Sequence, residues 1–67
     1  MSIGQEIRRI RMAIGDSMGR YISQERLGGM VGLTRQTVFN YETEKTTPPS
    51  YFLETLQHIL EKNNLRK

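Results

Sequence analysis

Residues 24–41 read Gln24-Glu25-Arg26-Leu27-Gly28-Gly29-Met30-Val31-Gly32-Leu33-Thr34-Arg35-Gln36-Thr37-Val38-Phe39-Asn40-Tyr41, and their spacing is that of two short helices folded against each other. Counting from Gln24 as one, apolar residues fall at positions four, eight, ten, fifteen and eighteen, which are Leu27, Val31, Leu33, Val38 and Tyr41. Gly28 stands at five and Gly32 at nine. Two helices that cross at about 90–120° over a turn of about 3–4 residues need a glycine where the chain reverses. They also need a small residue where the second helix presses on the first, and apolar side chains to fill the angle between them. The segment supplies each of these and reads as a helix-turn-helix, with its core at residues 23–42.

Working outward, the flanking sequence is also helical. Ser23 precedes Gln24-Glu25 as an N-cap with acid in the first turn, and Thr34 caps the next helix, which runs to about Glu42. Upstream, Ser2-Ile3-Gly4-Gln5 has the pattern of a capping box. Ile3, Ile7, Ile10 and Ile14 then form one apolar stripe, with Gly15-Asp16 as the expected end of the first helix. Residues 16–21 show no period and read as an insert between the first two helices. Downstream, Thr46-Thr47-Pro48-Pro49-Ser50 is a turn. Phe52, Leu53, Leu56, Ile59 and Leu60 are the inward stripe of a last helix that frays at Asn63-Asn64. No alternating strand pattern is present. The chain is expected to be all-α.

Composition narrows the function. At 67 residues there is room for one small domain spanning 1–67, with a thin stability margin. The chain has no cysteine and one histidine, His58, so neither a disulfide nor a thiolate or poly-histidine metal site is expected. Met12, Met18 and Met30 read as gap-fillers of the core, and His58 as solvated or at an interface. There is no nucleophile–base pair, no spaced carboxylate pair and no phosphate-cradling glycine loop. An enzyme is not expected, nor a cofactor. No run is long and apolar enough to span a bilayer, and a cytoplasmic location without membrane association is expected. The formal net charge is +3, concentrated in residues 1–22, where Arg8, Arg9, Arg11 and Arg20 face only Glu6 and Asp16. That bias suits a polyanionic partner.

From Ser23 to Pro49, the elements Ser23-Gln24-Glu25, Gly32-Leu33-Thr34-Arg35-Gln36-Thr37-Val38, Tyr41-Glu42, Lys45 and Pro49 resemble the DNA-binding domain of the Cro and lambda-repressor family. The resemblance extends over roughly residues 3–60. It implies a compact lambda-repressor-like bundle of four or five helices. The second helix would lie on the DNA backbone and the third would enter the major groove. It further implies a transcriptional regulator, a repressor of a phage, plasmid or other mobile element, that binds double-stranded DNA at an inverted-repeat operator as a homodimer.

The residues of the third helix fit that role. With Val38 and Tyr41 inward, Arg35, Gln36, Phe39 and Asn40 are left on the outer face as candidate base contacts. Arginine pairs with guanine O6/N7, and glutamine or asparagine with adenine N6/N7. Phe39 either packs on a thymine methyl or covers the helix flank. Arg35 reaches a base or a phosphate. The candidate phosphate contacts are Ser23, Gln24, Thr34, Thr37, Lys45, Thr46 and Arg20. Gln24 leads them, because it sits at a helix N-terminus and matches the family's phosphate-holding glutamine. Arg20 and Tyr21 lie in the insert, which either adds phosphate contacts or is a solvent loop. Glu42 has the wrong sign for a phosphate. The family pairs this position with a first-helix arginine, so the resemblance implies a structural ion pair between Arg11 and Glu42. Two departures stand out: the insert, and a tail of only residues 63–67 where family members carry a dimerising fifth helix. A dimer surface is expected from Leu60, Leu65 and neighbours, or else the dimer forms mainly on DNA. Rival readings are an antitoxin-type autoregulator of the same fold and a protein–protein adaptor that uses the helix-turn-helix without DNA.

Overall fold

A computed structural model describes residues 2–65, with side chains to residue 64. Four helices follow in order: α1 Ile3–Met18, α2 Gln24–Val31, α3 Arg35–Glu42 and α4 Ser50–Leu65. No strand occurs among the described residues.

Each of the first three helices begins where a hydroxyl accepts from a free backbone N–H. Ser2 Oγ accepts from Gln5 N at 3.2 Å, Ser23 Oγ from Arg26 N at 3.1 Å, and Thr34 Oγ1 from Thr37 N at 3.2 Å. Such caps satisfy donors that the helix itself leaves unpaired. The α2 helix ends at Gly32, which takes a left-handed φ of 77°, as a C′ glycine does. The Leu33 N–H then turns back onto the Gly28 carbonyl at 2.7 Å. That reversal explains Gly28, where an added Cβ would lie 2.6 Å from the Leu33 carbonyl oxygen.

The first helix is longer than its sequence suggests. It passes through Gly15 and Asp16 and stops at Gly19, which has φ 72°. Arg20 N–H closes on the Gly15 carbonyl at 2.9 Å. Gly15 is therefore not a stop signal. A Cβ there would come within 2.5 Å of the Arg20 carbonyl oxygen, so the glycine makes room for the returning chain. The expected six-residue insert shrinks accordingly, because Asp16, Ser17 and Met18 belong to α1 and only residues 19–23 link it to α2.

The core lies where α1 packs on α4 and α3, beside the α2–α3 pair. Ile7, Ile10 and Ile14 of α1 are buried there with Ile22, Leu27, Val38, Phe52 and Leu56. Val31, Leu33, Tyr41, Leu53, Ile59 and Leu60 pack partly buried around them. Tyr41 meets Phe52 edge-on at 5.0 Å between ring centroids, which joins α3 to α4.

Three further expectations are corrected. Ile3 begins the isoleucine stripe but is exposed, at the first residue of α1. Met12, Met18 and Met30 are exposed and do not fill the core. Met12 lies two residues from both Ile10 and Ile14, close to half a helical turn from the buried stripe. Met18 and Met30 sit in the last turns of α1 and α2. Asn63 and Asn64 remain within α4. The Leu65 side chain expected at a dimer surface lies outside the described residues.

Candidate nucleic-acid interface

Burial of Val38 fixes the rotation of α3 about its own axis, and so decides which side chains face outward. Arg35 and Gln36 are exposed on the first turn, while Phe39 and Asn40 are half-buried one turn later. The Gln36 amide nitrogen donates to the Asn40 side-chain oxygen at 3.1 Å, so two of the four outward residues are already oriented together. Lys45 Nζ stands over the Phe39 ring, 5.7 Å from its centroid, a cation–π geometry that occupies one face of the aromatic.

The orientation of α3 against the rest of the molecule comes from a charged node. Arg11 and Glu42 form a two-pronged ion pair, with Nε to Oε2 at 2.8 Å and Nη2 to Oε1 at 3.2 Å. Their side chains are 4% and 6% exposed, respectively. Arg11 Nη1 also donates to the Ile22 carbonyl at 2.6 Å and to the Tyr21 hydroxyl at 3.4 Å. Gln24 Nε2 donates to Glu42 Oε1 at 3.2 Å. One side chain of α1 thus binds the α1–α2 link and the end of α3, while the first residue of α2 joins the same carboxylate. Burial works against the Arg11 charge, but the bonds to Glu42 and Tyr21 outweigh it and its pKa lies above the ordinary value. Glu42, neutralised by Arg11, no longer presents a bare negative charge beside α3.

The remaining candidates are distributed as follows. Ser23 and Thr34 are engaged as caps, and the Thr34 and Thr37 hydroxyls lie 3.0 Å apart. Lys45 and Thr46 are exposed beyond α3, where both backbone N–H groups return to the Asn40 carbonyl at 2.9 and 3.5 Å. Arg20 is exposed just past the end of α1, next to an exposed Tyr21. A concavity of about 540 Å³ opens between α1, α2 and α3 and brings Gln24, Ser23, Arg35 and Phe39 together with Arg8 and Tyr21. Thr34, Thr37, Lys45, Thr46 and Arg20 lie outside it.

Two participants were not singled out in the sequence. Arg8 joins the concavity because it is three residues before Arg11, on one side of α1. Glu44, at a positive φ of 64°, accepts from Gly4 N–H at 3.2 Å and places a carboxylate at the start of α1. Arg8 was legible as a neighbour of Arg11 at helical spacing, whereas Glu44 depends on a fold-back that no local pattern encodes. Among the described residues no cluster of three or more His, Asp or Glu side chains is placed to hold a metal ion, and no helix is long and apolar enough to cross a membrane.

Comparison with protein-family models, curated proteins and solved structures found no match to this chain.

Proposed function

We propose that this chain is a sequence-specific DNA-binding transcriptional regulator of lambda-repressor-like, helix-turn-helix type, acting as a repressor in a phage, plasmid or other mobile element. In this reading α2 rests on the DNA backbone and α3 lies in the major groove. The observation that carries it is the outward side of α3. Arg35, Gln36, Phe39 and Asn40 are turned away from the core, with the Gln36–Asn40 bond holding two amides in register. An α-helix with its side chains is about 10–12 Å across and the major groove about 12 Å wide, so a surface helix of this kind fits between the phosphate ridges. The four side chains offer a bidentate guanine reader, two amides suited to adenine, and an apolar group for a thymine methyl. A protein-docking surface would be more apolar and less charged at its centre, which argues against the adaptor reading.

The chain acts as a homodimer on an inverted repeat, so half-site centres fall about 34 Å apart. Selection of bound duplexes from a random pool tests the whole proposal. The expected result is a two-fold symmetric consensus whose halves repeat after one helical turn. Recovery of no consensus, with no retention of any duplex at low ionic strength, would overturn it.

A further inference from the structure

The geometry points to Arg8 as a phosphate-binding residue and to the concavity between α1, α2 and α3 as the seat of one DNA backbone phosphate. This inference rests on the DNA-binding reading and adds to it a contact from α1, a helix given only structural work so far.

Three observations carry it. First, Arg8 is exposed, and the two ion pairs among the described residues are Arg9–Glu6 and Arg11–Glu42, so Arg8 has a free guanidinium. Its neighbour Arg9 is also exposed but is tied back to Glu6 and does not line the concavity. Second, the walls come from three helices. Arg8 of α1 and Arg35 of α3 both line the space, with Ser23 and Gln24 at the start of α2 between them in sequence. Third, the charge on those walls is biased. Arg11 and Glu42 neutralise each other, which leaves Arg8 and Arg35 against Glu25. The Arg8 guanidinium presents a planar fork of donors that suits a phosphodiester, and the two positive charges on the walls outweigh one solvated carboxylate. The position is also the right one. A phosphate seated beside the first turn of α3 belongs to the ridge that borders the groove α3 would occupy. From that seat Arg35 reaches inward to a base edge, while Arg8 holds the backbone from outside.

The test compares two substitutions of equal charge on adjacent residues. Arg8→Gln and Arg9→Gln each remove one positive charge from α1, and neither side chain contributes to the core. Binding of each variant to a short mixed-sequence DNA duplex is measured between about 50 and 200 mM salt. A lost phosphate contact makes the slope of log K against log salt shallower by about 0.9. The expected result is that change for Arg8→Gln and a clearly smaller one for Arg9→Gln, with unaltered thermal melting of both. Equal effects from the two variants, or an unchanged slope in Arg8→Gln while the unaltered protein binds DNA normally, would overturn the Arg8 assignment alone. If the unaltered protein binds no duplex, the DNA-binding reading falls first and this inference falls with it.

Discussion

At Gly28 the turn after α2 folds back so closely that the Leu33 carbonyl oxygen occupies the space where a β-carbon would stand, 2.6 Å away. The obstructing atom belongs to the backbone and cannot swing aside. Gly28→Ala is therefore expected to destabilise the protein by about 1–3 kcal/mol, the usual cost of overpacking. Gly29, one residue on, has nothing within 4 Å of the same position. Gly29→Ala should stabilise by about 0.4–1 kcal/mol, because alanine gives up less backbone freedom in a helix. Urea midpoints of the two variants should move in opposite directions. Arg11 raises the other question at this scale. Arg11→Ala leaves the Glu42 carboxylate buried without its partner, at a cost of about 3–5 kcal/mol. Replacing both residues, as in Arg11→Met with Glu42→Leu, should recover most of that loss, which a double-mutant comparison of denaturation midpoints would read. Because the folded pKa of Arg11 is raised, its contribution is complete at every pH below the ordinary arginine range. No stability change around neutrality should therefore be traceable to Arg11.

Among the elements, α2 and α3 are both eight residues long and sit side by side, but they carry different chemistry. The exposed side of α3 holds amide and guanidinium groups, the ones that would discriminate between bases in the proposed reading. The start of α2 holds a cap and a glutamine already bound to Glu42. Loss of a base contact costs about 1–3 kcal/mol against the preferred base and relaxes preference at that one position. Gln36→Ala and Asn40→Ala are accordingly expected to flatten one operator position each while leaving binding to mixed-sequence duplex nearly unchanged. Gln24→Ala should weaken binding to all duplexes alike. Binding to a panel of singly substituted operators separates the two patterns, and a uniform loss from all three variants would dissolve the division between α2 and α3. The same comparison bears on how α3 is held. Gln24 reaches Glu42, so its loss can also loosen the Arg11–Glu42 node, and a melting curve of Gln24→Ala measures that part separately.

For the molecule as a whole, small size sets the terms. A chain of 67 residues buries a modest fraction of its surface, and among the described residues its core rests on eight buried apolar residues. A ligand that binds only the folded form contributes about 2.7 kcal/mol when present at 100 times its Kd. In a domain of this size about 1 kcal/mol moves the melting temperature by about 4–8 °C. Saturating operator DNA is therefore expected to raise the melting temperature by on the order of 10 °C, and a duplex without the operator by much less at the same concentration. A calorimetric or fluorescence melt with the two duplexes checks this.

Local pattern was enough for the α2–turn–α3 unit. The two N-caps, the Gly32 reversal and the inward set Leu27, Val31, Leu33, Val38 and Tyr41 are all matters of spacing within twenty residues, and so was the outward face of α3 that follows from them. The inner stripe of α4 was readable for the same reason. What a spacing argument misjudged was Gly15, because a glycine that ends a helix and a glycine that admits a neighbouring strand of chain look the same in one dimension. It also could not single out Ile22, a lone apolar residue in a polar link that nevertheless becomes fully buried. The concavity that joins Arg8, Gln24 and Arg35, and the fold-back that brings Glu44 to Gly4, unite residues from separate helices. Helical periodicity is short-range information, set by the backbone's own hydrogen bonds. Which faces of separate helices meet depends on the packing of the shared core, and that only the tertiary structure decided.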